Sequence, residues 1–234
     1  SSRARAQLAC RALLLALVAS LVVSNDGGVT LLFGGDVIPH TPIRNVAKKT
    51  GWDPIFAPLV NEFADADFVI VNMEAPVVQL KKPEEEEKVF WAPPELPRAL
   101  ARAGVDVAAF ANNHCLDQHR EGIVSTREYL ADAGLRSFGC DLDKEKAWQP
   151  LVLEKNGLRI GLFGFTRFLN GFNNRADGGA HVPALQDDGA PIGGSKTVDD
   201  VLSMIRTYAQ QVDAFIVYVH WGNEYQAEPK PQDR

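Results

Sequence analysis

The sequence predicts an α/β fold in which helices cover a sheet, and three observations carry that prediction. Val105, Val107, Ala108, Ala109 and Phe110 form an apolar run without polar alternation, the pattern of a strand buried on both faces. Segments of helical periodicity separate this run from other β-prone runs at 29–33, 68–71 and 212–219. Each run is followed by side chains that carry chemistry: Asn112, Asn113 and His114 after the first, then Asp36, Glu74 and His220. Open α/β sheets build their ligand-binding loops at the carboxyl ends of strands.

In chain order, the run at 29–33 leads into Gly34 and Gly35, read as a tight turn before Asp36. Residues 41–51 are polar and read as helix or loop, and Pro58 suits the first turn of a helix carrying Leu59, Val60 and Phe63. The strand at 68–71 ends in Asn72-Met73-Glu74, and the charged stretch 79–88, with Glu84 to Glu87 at its centre, reads as a solvated loop. Residues 94–103 predict a helix with Leu96, Leu100 and Ala103 on one face and Gly104 as its stop. A second helix is expected over 117–134 on the spacing of Ile123, Thr126, Leu130 and Ala133, then a short strand over 136–140. Asn156-Gly157 predicts a hairpin turn between strands at 150–154 and 158–166, because these residues tolerate the positive φ that such turns need. Residues 170–196 are rich in Gly, Asn and Asp and form a long loop, of a length that is often functional. His181 within it reads as a surface histidine, with substrate contact the second reading. Val198, Val201, Leu202, Ile205 and Tyr208 mark a helix before the last strand.

The 234 residues carry 46% hydrophobic side chains and a formal charge of −6, enough for one domain with a real core. The acidic balance excludes non-specific nucleic-acid binding, which needs a basic face. No glycine-rich phosphate loop of a familiar type is present, which weighs against a nucleotide-binding module. At the start, Arg3, Arg5 and Arg11 border an apolar run over 12–23, shorter than the roughly 20 residues a membrane span requires. Residues 1–24 therefore read as a secretory signal cleaved after Ser24, or as an uncleaved anchor. Either makes the protein extracytoplasmic, secreted or anchored to the cell membrane. Beyond that segment only Cys115 and Cys140 occur, so no disulfide framework is implied; one bridge between them or two small buried residues are the readings.

Asp36, Glu74 and Asn113 would converge at one sheet edge if their strands are parallel neighbours, which short helix-containing connections favour. Buried carboxylates without a counter-charge cost several kcal/mol, and a divalent cation supplies one. Amide oxygen, imidazole and carboxylate are all ordinary ligands at neutral pH. For Asn112, Asn113 and His114 the alternative is that the asparagines make turn hydrogen bonds and His114 caps the next helix.

Taken together, Gly34-Gly35-Asp36, Asn72-Met73-Glu74, the stretch from Ala111 to Asp117 and His220 to Tyr225 resemble the CapA-type capsule synthesis proteins. That poly-γ-glutamate biosynthesis family is related to the calcineurin-like metallophosphoesterases. The resemblance runs over 29–234 and implies a four-layer αββα sandwich of metallophosphoesterase type, with two mixed sheets and a metal centre at the strand ends. It implies that Asp36, Glu74, Asn113 and His220 hold one or two divalent ions (Mn, Fe or Zn). His114 matches the histidine that protonates a leaving group or contacts phosphate. Related phosphoesterases begin with Asp-x-His, whereas Ile38 stands at the histidine position here and His40 lies two residues on. The family also continues into a Gly-His-x-x-His type motif, so a fragment lacking the last ligands and part of the second sheet is expected. Two functions follow. One is a metal-dependent hydrolase acting on an acidic polymer or a phosphorylated small molecule, beside membrane-bound capsule synthesis subunits. The other is a non-catalytic polymer-binding scaffold that retains a degenerate metal site.

Overall fold

The computed structural model describes residues 19–22, 27–80, 90–172, 179–185 and 195–222. Its first sheet orders β1 (Ala19–Val22), β2 (Thr30–Val37), β3 (Phe68–Met73), β4 (Val107–Ala109) and β5 (Arg136–Phe138). Strands β2 to β5 are parallel, and β1 pairs antiparallel on the outer side of β2. The second sheet holds β6 (Leu151–Lys155), β7 (Leu158–Thr166) and β8 (Ala214–His220), with β6 antiparallel and β8 parallel to β7. Both sheets are therefore mixed, as expected. The helices are α1 (Thr41–Thr50), α2 (Asp53–Phe56), α3 (Val60–Phe63), α4 (Glu95–Ala103), α5 (His119–Asp132), α6 (Lys144–Ala147) and α7 (Val198–Ala209). A 3₁₀ turn, Ala57–Leu59, begins around Pro58 between α2 and α3.

Alternation along the strands assigns the layers. Phe68 and Ile70 of β3, with Val107 and Ala109 of β4, pack against Leu153, Ile160 and Leu162 of the second sheet. Val69, Val71 and Met73 face the other way, into a cluster with Leu96 and Leu100 of α4 and Ile123 and Leu130 of α5. On the far side of the second sheet, Phe163 and Phe165 pack with Trp148 and with Val201, Met204 and Ile205 of α7. The sequence of layers is helix, sheet, sheet, helix. Each fully buried leucine or phenylalanine contributes about 1.5–3 kcal/mol to this arrangement.

Local signals account for most element ends. Gly104 closes α4 with φ 103°, in the left-handed region that glycine enters freely. Asn156 at φ 53° and Gly157 at φ 76° make the expected hairpin turn. Thr197 and Asp200 cap α7 reciprocally, an arrangement worth about 1 kcal/mol.

Four expectations need correction. Gly34 and Gly35 do not make a turn but lie within β2, where the register against β3 slips between Phe33 and Asp36. The extra residue is a β-bulge, and glycine suits position 34 because a Cβ there would lie 3.0 Å from Val71 Cγ1, closer than that side chain tolerates without shifting. The strand at 105–110 shortens to β4, although Val105 and Phe110 remain buried beside it. Helix α5 begins at His119 rather than 117, because the backbone turns tightly from His114 to His119 and His119 itself has φ 53°, outside the helical region. His181 is half-buried rather than on the surface, its backbone bridging Asp141. The thiols follow the second reading: Cys115 and Cys140 are free and buried, donating to the carbonyls of Asn112 and Phe110. The acidic run at 84–87 and the residues after 222 lie outside the described residues.

Candidate metal centre

Three chain segments bring donors to one point. The bulge carries Asp36 to the end of β2, Glu74 is the first residue past β3, and His220 is the last residue of β8. One ligand atom from each lies within 4.8 Å of the other two. Since β8 belongs to the second sheet, the site straddles the seam between the sheets at their carboxyl ends. Asp36 is exposed, Glu74 buried and His220 half-buried.

Asn72 braces this group from inside β3. Its Nδ2 donates to Asp36 Oδ1 at 2.8 Å and lies 3.3 Å from His220 Nδ1, while Glu74 Oε1 is 3.5 Å from His220 Nε2. Asn72 Oδ1 accepts from Asn112 Nδ2 at 3.0 Å, and the same Asn112 nitrogen donates to the Met73 carbonyl at 2.8 Å. Burial pushes the His220 imidazole below its ordinary range; Asp36 opposes that shift and His114 adds to it. The shift favours the neutral ring, the form that ligates metals.

The triplet 112–114 divides its roles. Asn112 makes the turn, its Oδ1 accepting from the His114 amide at 3.1 Å. Asn113 donates from Nδ2 to Asn170 Oδ1 at 3.2 Å, and its own Oδ1 is buried without a hydrogen-bond partner. Two carboxylates and an imidazole whose ligand atoms lie within 4.8 Å of one another are an ordinary donor set, so these residues fit a divalent metal. His114 does not cap α5, whose N-cap is Gln118. Its Nδ1 lies 2.9 Å from Asp117 Oδ2, which also accepts from the Phe90 amide at 3.0 Å. The Phe90 ring meets the His114 ring edge-on at 4.4 Å. Ile38 offers no donor atom, and exposed His40 stacks toward Phe90 rather than joining the group.

Against this geometry, a family model described as "Bacterial capsule synthesis protein PGA_cap" matches residues 30–234. The chain belongs to that family. The PGA_cap chain is 26% identical over 214 residues to the PGA biosynthesis protein CapA of Bacillus subtilis (strain 168), covering 90% of this chain and 53% of that protein. It is 25% identical over 213 residues to the capsule biosynthesis protein CapA of Bacillus anthracis, covering 87% and 49%. The chain thus spans about half the length of the curated relatives it matches. A Staphylococcus aureus protein named as a candidate 5'-nucleotidase, solved with alpha-ketoglutarate, aligns with TM-score 0.44 and 13% identity over 74% of this chain and 32% of that one.

Around the PGA_cap centre, Asn72 and Asp117 lie inside the quoted motifs but had no role assigned from sequence, and Asn170 was not singled out at all. Asn72 carried a usable signal, since a polar side chain inside an otherwise apolar strand must find a partner. Tyr218 supports the bulge by donating to the Gly34 carbonyl at 3.1 Å. Its phenol is pushed up to about 12, chiefly by burial and then by the charges of Asp36 and Glu74. The folded state therefore keeps a proton that the unfolded chain loses near pH 10, so stability present below pH 10 is lost as pH rises through about 12. That loss amounts to about 2–3 kcal/mol. Tyr218→Phe is expected to cost about 1 kcal/mol at pH 8 through the lost hydrogen bond. It should also flatten the alkaline limb, as read from urea melts at pH 8 and above pH 10.

Proposed function

We propose that this chain is a metal-dependent hydrolase of phosphoesterase-like chemistry that serves capsule or poly-γ-glutamate assembly. The observation that carries the reading is the meeting of Asp36, Glu74 and His220 donor atoms within 4.8 Å of one another. Asp36, Glu74, Asn113 and His220 would hold the ion, as Mn, Fe or Zn. When bound, such a cation supplies Lewis acidity toward a phosphoryl or acyl oxygen. The protein's own part is proton management. Asp117 accepts from His114 Nδ1, which fixes the ring and leaves Nε2 as the atom that would deliver a proton to a departing oxygen. The capsule context comes from the family and the names of the CapA relatives. With it come an acidic polymer or a phosphorylated small molecule as substrate, membrane-bound synthesis subunits as partners, and an extracytoplasmic location. No helix among the described residues is long and apolar enough to cross a membrane.

The test is turnover of phosphomonoester, phosphodiester and γ-glutamyl substrates by the full-length protein with Mn²⁺, Zn²⁺ or Fe²⁺. Activity removed by chelation and restored by metal is the expected result. Tight metal binding without turnover of any class would favour the non-catalytic polymer-binding scaffold instead. The specific observation on that side is Ile38, an apolar residue where related phosphoesterases carry a histidine.

A further inference from the structure

We infer that Asn170, on the turn after β7, is a positioning residue that fixes the side-chain amide of Asn113 so that its oxygen stays free to ligate the proposed ion. The inference rests on the metal reading above and adds a residue to it. A primary amide has two ends of nearly equal size and opposite polarity. Turned one way it offers a cation an oxygen; turned the other way it presents N–H dipoles that repel the ion. What decides between them is the partner of the far end. That partner is Asn170, whose Oδ1 accepts from Asn113 Nδ2 at 3.2 Å, while Asn113 Oδ1 remains buried with no protein donor. Asn170 Nδ2 also lies 3.5 Å from His114 Nδ1. Asp117 Oδ2 lies closer to that ring nitrogen, at 2.9 Å, and takes its hydrogen, so the nitrogen has no lone pair for Asn170. The interaction that Asn170 makes is therefore the one with Asn113.

The turn is built to present that oxygen. Asn170 has φ 48°, a left-handed backbone that non-glycine residues seldom adopt and that asparagine tolerates best. Leu169 on one side is buried in the helix-facing core, and the Phe172 amide closes the turn on the Leu169 carbonyl at 2.8 Å. The Phe172 ring packs edge-on against His119 at 5.6 Å. A residue held at both flanks in an uncommon conformation, with its side-chain oxygen on the far end of a candidate ligand, is placed to set that ligand's orientation.

The experiment is Mn²⁺ titration of the full-length protein by calorimetry, comparing wild type with Asn113→Ala, Asn170→Gly and Asn170→Asp. Glycine and aspartate both accept the positive φ, so the turn survives in each, and thermal melts without metal check this. Asn170→Gly removes the acceptor and is expected to weaken Mn²⁺ affinity about tenfold at unchanged stoichiometry. Asn170→Asp keeps an acceptor oxygen and is expected to bind at least as tightly as wild type. Because the aspartate's charge attracts a cation by itself, the deciding readout is the loss in Asn170→Gly at an unchanged metal-free melt, which a merely structural role would not produce. If Asn113→Ala weakens binding but Asn170→Gly does not, the Asn170 assignment is overturned and the metal reading stands. If wild type takes up no Mn²⁺, both are overturned.

Discussion

Asp36→Ala is expected to abolish the rise in melting temperature that Mn²⁺ gives the wild-type protein. A ligand that binds only the folded state at a hundred times its dissociation constant stabilises by about 2.7 kcal/mol. For a domain of this size that is a rise of roughly 5–10 °C. The variant removes the most exposed of the three clustered donors, so the surrounding core is little disturbed. It also removes the acceptor for Asn72 Nδ2, at a cost of about 1 kcal/mol. Against that cost, it relieves the mutual repulsion of two carboxylates held at a common point. The metal-free melts of variant and wild type should therefore nearly coincide, while only the wild type responds to Mn²⁺ and loses the response in chelator. A variant that retains the full Mn²⁺ shift would show that the ion binds elsewhere.

The layered fold was legible because burial writes its period into the chain. Val69, Val71 and Met73 on one face of β3 and Phe68 and Ile70 on the other are two apolar sets interleaved, as a strand covered by helices on one side and a sheet on the other demands. The ends of α4 and α7 were legible too, since Gly104 and the Thr197–Asp200 pair satisfy backbone groups by local chemistry. The bulge was not legible. A glycine pair serves a turn and a bulge equally well, and only the approach of Val71 to Gly34 distinguishes them. In the candidate site, Asp36, Glu74 and His220 stood out as polar residues at the ends of apolar runs. Asn72 lies one step inside its strand, and its value depends on Asp36, Asn112 and His220 arriving from three other segments. Asn170 was hidden for the same reason: nothing within a polar, glycine-rich loop distinguishes one asparagine from the next until its partner Asn113 is seen. Side chains that act on their own neighbourhood can be read from order along the chain, while those that act on other side chains need the fold.

On the hydrolase reading, His114→Ala should lower turnover by a factor of about 10²–10⁴, the usual contribution of a positioned general acid. The loss should depend on the leaving group. An alkyl alcohol departs as a poor alkoxide unless it is protonated, whereas a nitrophenolate departs readily without help. The penalty should therefore be near the upper end for an alkyl phosphoester and shrink toward the lower end for a nitrophenyl ester. Asp117→Asn tests the partner. Asp117 Oδ2 accepts from both His114 Nδ1 and the Phe90 amide, and an asparagine oxygen can retain either bond but makes the weaker, uncharged hydrogen bond to the ring. Its kcat should fall less than that of His114→Ala, with the same dependence on leaving group and little change in KM, since neither residue is among the candidate metal ligands. Equal losses on alkyl and nitrophenyl substrates would mean that His114 acts by holding the substrate rather than by giving it a proton, and Asp117 would then be a support for ring position alone.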